Sequence, residues 1–483
     1  MQGVLSLNRS PIAAGTFVTA ADIGSGLLNF TPDPGGRGAS YASFTFQVRD
    51  DGGTANGGID TDESSNVITI DVALVDDGTI SGTAGNNVIT GTPQRDVFHL
   101  QQGGDDTANG LAGNDTFYFG AAYTSTDEVN AGDGNDSIIL QGDYRGGVTV
   151  GTITGLQSIS LAPGNIASFG DTAGNFYDYL ITTTDSNVAA GTPLKINGFL
   201  LRAGEDFTFD GSAETDGTFT LFAGFGTELL IGGAQNDFFL FGQDGRFAAG
   251  DTVVGGAGYD SFYLRGDYVI DFNAPGLAGS FTQIESVTLA SALDTQFFGG
   301  GDNEFDYSII WNDVLLASDQ FMTINGSRLL PNESMSFDGR SELDGHFRIF
   351  AGAGDDVIRP GDGFNMIYGG LGADELYSGG ADTFVYRSTA ESAVAAPDAI
   401  IFFNFFDMID LSAIDADTEA VGNQAFKFIG SEAFSGTAGE LRLVDNNSVW
   451  TVEGDVDGDS LADFAMIVVL GAGDFISGSN FFV

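Results

Sequence analysis

"AGAGDDVIRPGDGFNMIYGGLGADELY", residues 351 to 377, falls into three nine-residue lines: AGAGDDVIR, PGDGFNMIY and GGLGADELY. Each returns glycine to its second and fourth places, an acid or amide to its sixth and a large apolar residue to its eighth. Glycine at positions two and four admits backbone angles that a side chain would forbid, so six residues can turn tightly and point carbonyl oxygens inward. The last three residues make a short strand. Its eighth-position residue, Ile358, Ile367 or Leu376, faces an interior, and coils stacked about 4.8 Å apart form a parallel sheet. On this reading Asp356, Asn365 and Asp374 lie one above another at the turn. Two carboxylates about 5 Å apart repel by roughly 1 kcal/mol in water and by several at an intermediate dielectric. A cation is therefore expected between them. Carboxylate and carbonyl oxygens, with no sulfur and almost no imidazole, suit a hard ion of high coordination number, Ca2+ ahead of Mg2+ or Zn2+. A micromolar site in millimolar calcium would stabilise the folded coil by about 4 kcal/mol, so folding should be switched by calcium.

The same line recurs as GTAGNNVIT (82–90), GTPQRDVFH (91–99), QQGGDDTAN (101–109), GLAGNDTFY (110–118), AGDGNDSII (131–139), AGFGTELLI (223–231), GGAQNDFFL (232–240) and GGAGYDSFY (255–263). Besides Asp356, Asn365 and Asp374, the ligand candidates are Asp96, Asp106, Asp115, Asp136, Asp237, Asp260 and Asp382. Some lines are degenerate. Glu228 stands for Asp, Gln94 and Gln235 replace the second turn glycine, and Asn87 and Asn365 lower the ligand charge. A unit of roughly 125 residues occurs twice and contains these lines. AGDGNDSIILQGDY (131–144) matches GGAGYDSFYLRGDY (255–268), and LKINGFLLRAGEDFTFDGSAETDGTFTLFAGFG (194–226) matches MTINGSRLLPNESMSFDGRSELDGHFRIFAGAG (322–354). The strand candidates between the lines suit longer coils of the same stack, with a small inserted domain as the alternative.

The chain has 67 Asp and Glu against 16 Lys and Arg, a formal charge of -51 on 483 residues, which makes nucleic acid and anionic membranes poor partners. Its 42 Phe supply apolar surface for a core. Cysteine is absent, so rigidity must come from packing or from oxygen-bound ions. No uncharged apolar run reaches membrane-span length, and the opening MQGVLSLNRSPIAAGTF lacks the basic-then-apolar pattern of a cleaved export signal.

Residues 1–77 alternate like strands of an antiparallel β-sandwich, as in YASFTFQV (41–48) and NVITIDVALV (66–75). "LLNFTPDP", "YASFTFQVRDDGG" and "ITIDVALVDDG" resemble the final strands of cadherin-like or immunoglobulin-like repeats of large bacterial surface proteins, and the resemblance implies that the chain starts inside such a repeat. Beyond residue 380 the period stops, and a Phe-rich segment is expected to cap the stack. The expected fold is all-β: a parallel β-roll or β-solenoid over 78–254 and 255–379, a partial sandwich at 1–77 and a β-rich cap at 380–483.

The lines resemble the glycine- and aspartate-rich nonapeptides of RTX or hemolysin-type proteins, whose β-rolls bind Ca2+ between turns. "GGADTFVYRSTAES", "DMIDLSAIDAD", "NQAFKFIGSEAFSGTAGELR" and "DVDGDSLADF" are similar to the C-terminal segment of serralysin-type secreted proteases, although IIFFNFF (400–406) replaces the family's acid–Phe–glycine pattern before IDLS. The resemblance implies an extracellular or cell-surface protein, carried unfolded by a type I secretion exporter that reads the C-terminus, and folding on meeting calcium outside. Within DVDGDSLADF, Asp455, Asp457, Asp459 and Asp463 take positions one, three, five and nine of an EF-hand-like loop, while Met466 stands where the bidentate Glu belongs. Either a further Ca2+ site or a plain acidic turn follows.

An enzyme is disfavoured. The only histidines, His99 and His346, are far apart, and no HExxH, GxSxG elbow, cysteine nucleophile or phosphate loop is present. The reading is a calcium-binding surface or matrix component (adhesin, biofilm or surface layer), with surface polysaccharide or self-assembly as its partners. The alternatives are the export module of a secreted hydrolase or a released carbohydrate-binding protein; an exposed aromatic row on one face would favour the last.

Overall fold

The computed structural model describes residues 3–33, 38–49, 60–72, 79–166, 174–243, 245–297, 304–446 and 449–483. One parallel sheet of 16 strands runs from Thr79–Ser81 to Phe481–Phe482. The strands between its members pair into three further sheets of four, six and ten strands. Consecutive lines go to different sheets. Val357–Arg359 pairs with Glu375–Tyr377, whereas Met366–Tyr368 pairs with His346–Phe350 and Thr383–Val385. One turn of the roll thus takes two nine-residue lines, one per face, and every inward position meets its equivalent in the next coil.

The eighth position builds the core. Phe98, Ala108, Phe117, Ile138, Leu230, Phe239, Phe262, Ile358, Ile367 and Leu376 are all buried and belong to one cluster that extends to Phe481. Identical positions stack in register, so aromatic residues pile up ring on ring: Phe98 and Phe117 lie 4.6 Å apart and nearly parallel. Trp311 fills the middle of the second long repeat against Phe272, Phe281 and Phe347. Each fully buried Phe is worth roughly 1.5–3 kcal/mol relative to exposure, which is how a chain with so many repelling acids collapses at all.

Residues 140–222 and 264–350 supply strands to these same sheets, with Ser158–Leu161, Pro193–Asn197 and Thr218–Phe222 neighbours in the long one. Their internal equivalence extends to single bonds: the Tyr179 hydroxyl donates to Ala162 O and the Tyr307 hydroxyl to Ala290 O, both at 2.6 Å. Coil stacking also continues past residue 380, where the sequence period ends. Thr383–Val385, Met408–Asp410 and Phe481–Phe482 stay in the long sheet, and Asp398–Phe403 pairs with Glu375–Tyr377. The terminal departure is an antiparallel meander, Glu440–Asp445, Val449–Asp455 and Phe464–Leu470, whose last strand joins Asp398–Phe403 in parallel. At the other end, Val4–Leu7, Ser10–Pro11 and Leu28–Thr31 form one antiparallel sheet and Gly38–Phe46 with Asn66–Val72 another. Among the described residues there, Ala42 is the buried hydrophobic one. Residues 73–78, the end of the NVITIDVALV segment, and 50–59 lie outside the described residues.

Candidate metal centres

The nonapeptide ligand candidates Asp96, Asp106, Asp115, Asp136, Asp237, Asp260, Asp356, Asn365, Asp374 and Asp382 are all buried, whereas Asn87, position six of the first line, is only half-buried. The expectation of one column through Asp356, Asn365 and Asp374 is corrected, because successive lines lie on opposite sides of the roll. On one side the Met335, Asp356 and Asp374 N–H groups donate to Oδ1 of Asp356, Asp374 and Asp398 at 2.6, 2.9 and 3.0 Å. On the other, Phe347, Asn365 and Asp382 N–H donate to Asn365, Asp382 and Asp407 at 2.9, 3.1 and 2.9 Å. The first repeat has the same ladders, Asp96 to Asp115 to Asp136 and Asn87 to Asp106 to Asp127. One oxygen of each carboxylate thus hooks the coil before it.

While Glu228 combines an Oε1 capped by the Gly224 N–H with an orphaned Oε2, the second oxygen separates seven of the aspartate lines into two kinds. In the closed kind it accepts the N–H of position two in its own turn: Thr92 to Asp96 and Gly233 to Asp237 at 2.6 Å, and Gly352 to Asp356 at 2.9 Å. In the open kind, Oδ2 of Asp115, Asp136, Asp260 and Asp374 is buried without a hydrogen-bond partner. These four lines are the ones whose second residue has a left-handed backbone: Leu111, Gly132, Gly256 and Gly370 at φ 78°, 98°, 109° and 96°. Thr92, Gly233 and Gly352 are outside that region. The peptide that would cap the carboxylate is turned away, so the two expected glycine angles occur only in open lines.

The Asp374 turn also leaves no room for a side chain at its first two positions. A Cβ on Gly369 would overlap Asp374 Oδ2, and one on Gly370 would overlap the Gly352 carbonyl oxygen of the neighbouring coil. Carboxylate and carbonyl oxygens converge there by the same nesting that removes water. With burial as the main cause and Asp398 as the next, the Asp374 carboxyl is pushed up to about 9; burial pushes Asp115 and Asp260 to about 7. In closed Asp356 and Asp237, backbone donors offset part of the burial and the rise stops at about 6. An oxygen-only donor set of buried, unpaired carboxylates fits a hard divalent cation, which would supply the missing positive charge.

The EF-hand-like loop brings Asp455, Asp457 and Asp463 together, with one oxygen of each within 4.8 Å of the others. Asp459 is outside this group and instead caps the Leu461 N–H at 2.7 Å. Loop N–H groups already occupy Asp455, from Gly458 and Ser460, and Asp463, from Val456. Sequence reasoning missed several members of the ladders, namely Asp127, Asp251, Asp398 and Asp407, because they lie in lines without the glycines. It also missed position five, where Asn114, Asn236 and Asp355 accept the N–H of the corresponding residue one coil on. Neither histidine is in such a cluster. His346 Nδ1 accepts the Phe364 N–H at 3.0 Å, and His99 packs edge-on to Tyr118.

Stacked parallel coils with cation-demanding turns define a metal-binding β-roll. Residues 75–105, 102–123 and 220–244 match the family model for the RTX calcium-binding nonapeptide repeat, and residues 349–481 match that for the peptidase M10 serralysin C terminal. No curated protein matches the chain. The chain carries RTX calcium-binding nonapeptide repeats and a serralysin-type C-terminal segment, which mark a protein exported by type I secretion to the outside of the cell. Both matched regions are structural or secretory modules rather than catalytic ones. No helix among the described residues is long and apolar enough to cross a membrane.

Proposed function

We propose that this protein is a non-enzymatic surface or matrix component, an adhesin, biofilm or surface-layer element, whose β-roll is locked by calcium after export. The observation that carries the reading is the set of four open turns. Asp115, Asp136, Asp260 and Asp374 are the ligands proposed to hold Ca2+ together with carbonyl oxygens of the adjacent coil, while Asp96, Asp237, Asp356 and Asp382 serve as self-capped spacers. Asp106 and Asn365, neither of which has an orphaned buried oxygen, are also read as spacers, and the Asp455–Asp457–Asp463 loop is a weaker site because its oxygens are already engaged. In submicromolar calcium the carboxylates repel and the exporter receives an unfolded chain; millimolar calcium outside drives the coils together.

Circular dichroism through a calcium titration and back with EGTA tests the lock. A cooperative, reversible gain of β signal is expected, and a full β signal in excess EGTA would overturn it. The matrix role is tested by light scattering and electron microscopy of the calcium-loaded protein, with ordered self-assembly expected.

An aromatic row on the outer surface favours a second reading, saccharide binding. Phe321, His346 and Phe364 follow one another with centroid spacings of 4.9 and 5.7 Å, and Phe321 and Phe364 are exposed. Retention on a glycan array that disappears in Phe321→Ala would select this reading over assembly.

A further inference from the structure

Outside the nonapeptide lines, each long repeat folds an Asp, a Glu and an Asp into one small acidic cluster. In the first repeat these are Asp185, Glu214 and Asp216, and in the second Asp313, Glu342 and Asp344; one carboxylate oxygen of each residue lies within 4.8 Å of the others. The first Asp opens the 3-10 turn that follows a strand, Asp185–Asn187 or Asp313–Leu315. The Glu-x-Asp pair comes from the turn after the next strand in the same sheet, in D-G-x-x-E-x-D-G, residues 210–217 and 338–345. Adjacent coils thus contribute to each cluster, which clips one turn of the roll to the next.

The two aspartates are exposed, but the glutamates are not: Glu214 and Glu342 are both 0% exposed. Oε1 of Glu214 is filled by the N–H groups of Thr215, Asp216 and Gly217 at 3.1, 3.1 and 2.9 Å. Glu342 Oε1 takes those of Asp344 and Gly345 at 3.3 and 2.8 Å. In both residues Oε2 is the oxygen left over, and in both it is buried without a hydrogen-bond partner. The same unpaired buried oxygen beside the same two acids occurs in each repeat. A carboxylate removed from water and facing two others is costly unless a positive charge completes it. Among the described residues no ion pair reaches either cluster, since the salt bridges of the long repeats go to Asp143, Asp178, Glu205, Asp294, Asp338 and Glu375.

We propose that these clusters are a second class of calcium site, one per long repeat, in which a single ion is held by three carboxylates from two successive coils. They differ from the glycine turns in chemistry: there the cation meets one carboxylate and a column of carbonyl oxygens, whereas here side chains alone carry a formal charge of minus three. The inference stands on its own pair of orphaned glutamate oxygens and does not rest on the assignment of the glycine turns.

The test counts ions. The full chain, folded in millimolar calcium, and the double variant Asp216→Asn with Asp344→Asn are dialysed to equilibrium, and bound calcium per chain is measured by plasma mass spectrometry. Both substitutions are at exposed positions and keep the shape of the side chain. Two fewer ions per chain are expected, with the far-ultraviolet spectrum in calcium preserved, and one fewer in each single variant. An unchanged count in a folded variant overturns the proposal. Should the double variant not fold, Asp185→Asn with Asp313→Asn, on the other side of each clip, must lose the same two ions or the proposal fails. Asp374→Asn in parallel reports on the glycine turns alone, so failure of one class is distinguishable from failure of the other.

Discussion

Asp356 and Asp374 are the same residue type at the same place in the same motif, one coil apart, yet only Asp374 has an orphaned oxygen. The two turns differ in backbone at positions two and four, left-handed at Gly370 and Gly372 but not at Gly352 and Gly354, and the first of these turns the capping N–H away. This difference makes the two sites respond differently to the same substitution. Asp374→Asn is expected to remove one bound ion and lower the melting temperature in calcium, at a cost of up to about 4 kcal/mol for a micromolar site in millimolar calcium. Asp356→Asn keeps the ion count and forfeits only part of a charge-assisted hydrogen bond, about 1–3 kcal/mol. Calcium stoichiometry with thermal unfolding of both variants checks the contrast. Gly370→Ala acts on the angle itself, since φ 96° and the neighbouring Gly352 carbonyl both exclude a methyl group. Loss of the Asp374 ion without loss of the Asp374 side chain is the expected outcome, measured in the same way.

At the scale of the element, the nonapeptide is half turn and half strand, and the two halves were unequally readable. The apolar eighth position announces itself, because only one residue of a three-residue strand faces inward and it must be large. Ile358, between Phe337 and Leu376 in register, illustrates the consequence. Ile358→Ala is expected to cost about 2–5 kcal/mol, read from urea unfolding in saturating calcium, because the stacked neighbours above and below cannot collapse into the gap. The acidic sixth position was legible as a residue and not as a neighbour. A nine-residue period does not say whether a coil contains one line or two, and that count decides whether Asn365 stacks on Asp356 or faces away from it.

For the whole molecule, the buried carboxylates couple folding to both protons and calcium. Their folded-state values are raised above the unfolded carboxylate range, to about 9 for Asp374 and about 7 for Asp115 and Asp260, chiefly by burial. The calcium-free folded chain then binds more protons than the unfolded chain between those limits. Its stability is greatest below the unfolded value of about 4 and declines as pH climbs toward 9. The net charge of -51 adds self-repulsion in the same direction. Calcium competes with these protons, so its affinity is expected to rise from about pH 6 to about pH 8, with protons released on binding near neutral pH. Calorimetric titration in two buffers of different ionisation enthalpy measures that release, and an affinity independent of pH would contradict it.

The amino-acid order alone determined the repeat, its inward residues and the kind of ion that its oxygens prefer, because these follow from spacing and from the hardness of the donors. Only the tertiary structure decided which acids meet. Two lines per coil, a left-handed residue in some turns and not in others, and the approach of Asp185 to Glu214 across neighbouring coils are all set by packing between segments distant in sequence. A carboxylate's need for a cation depends on whether a backbone N–H reaches it first, and that is a property of the folded turn rather than of the letters that encode it.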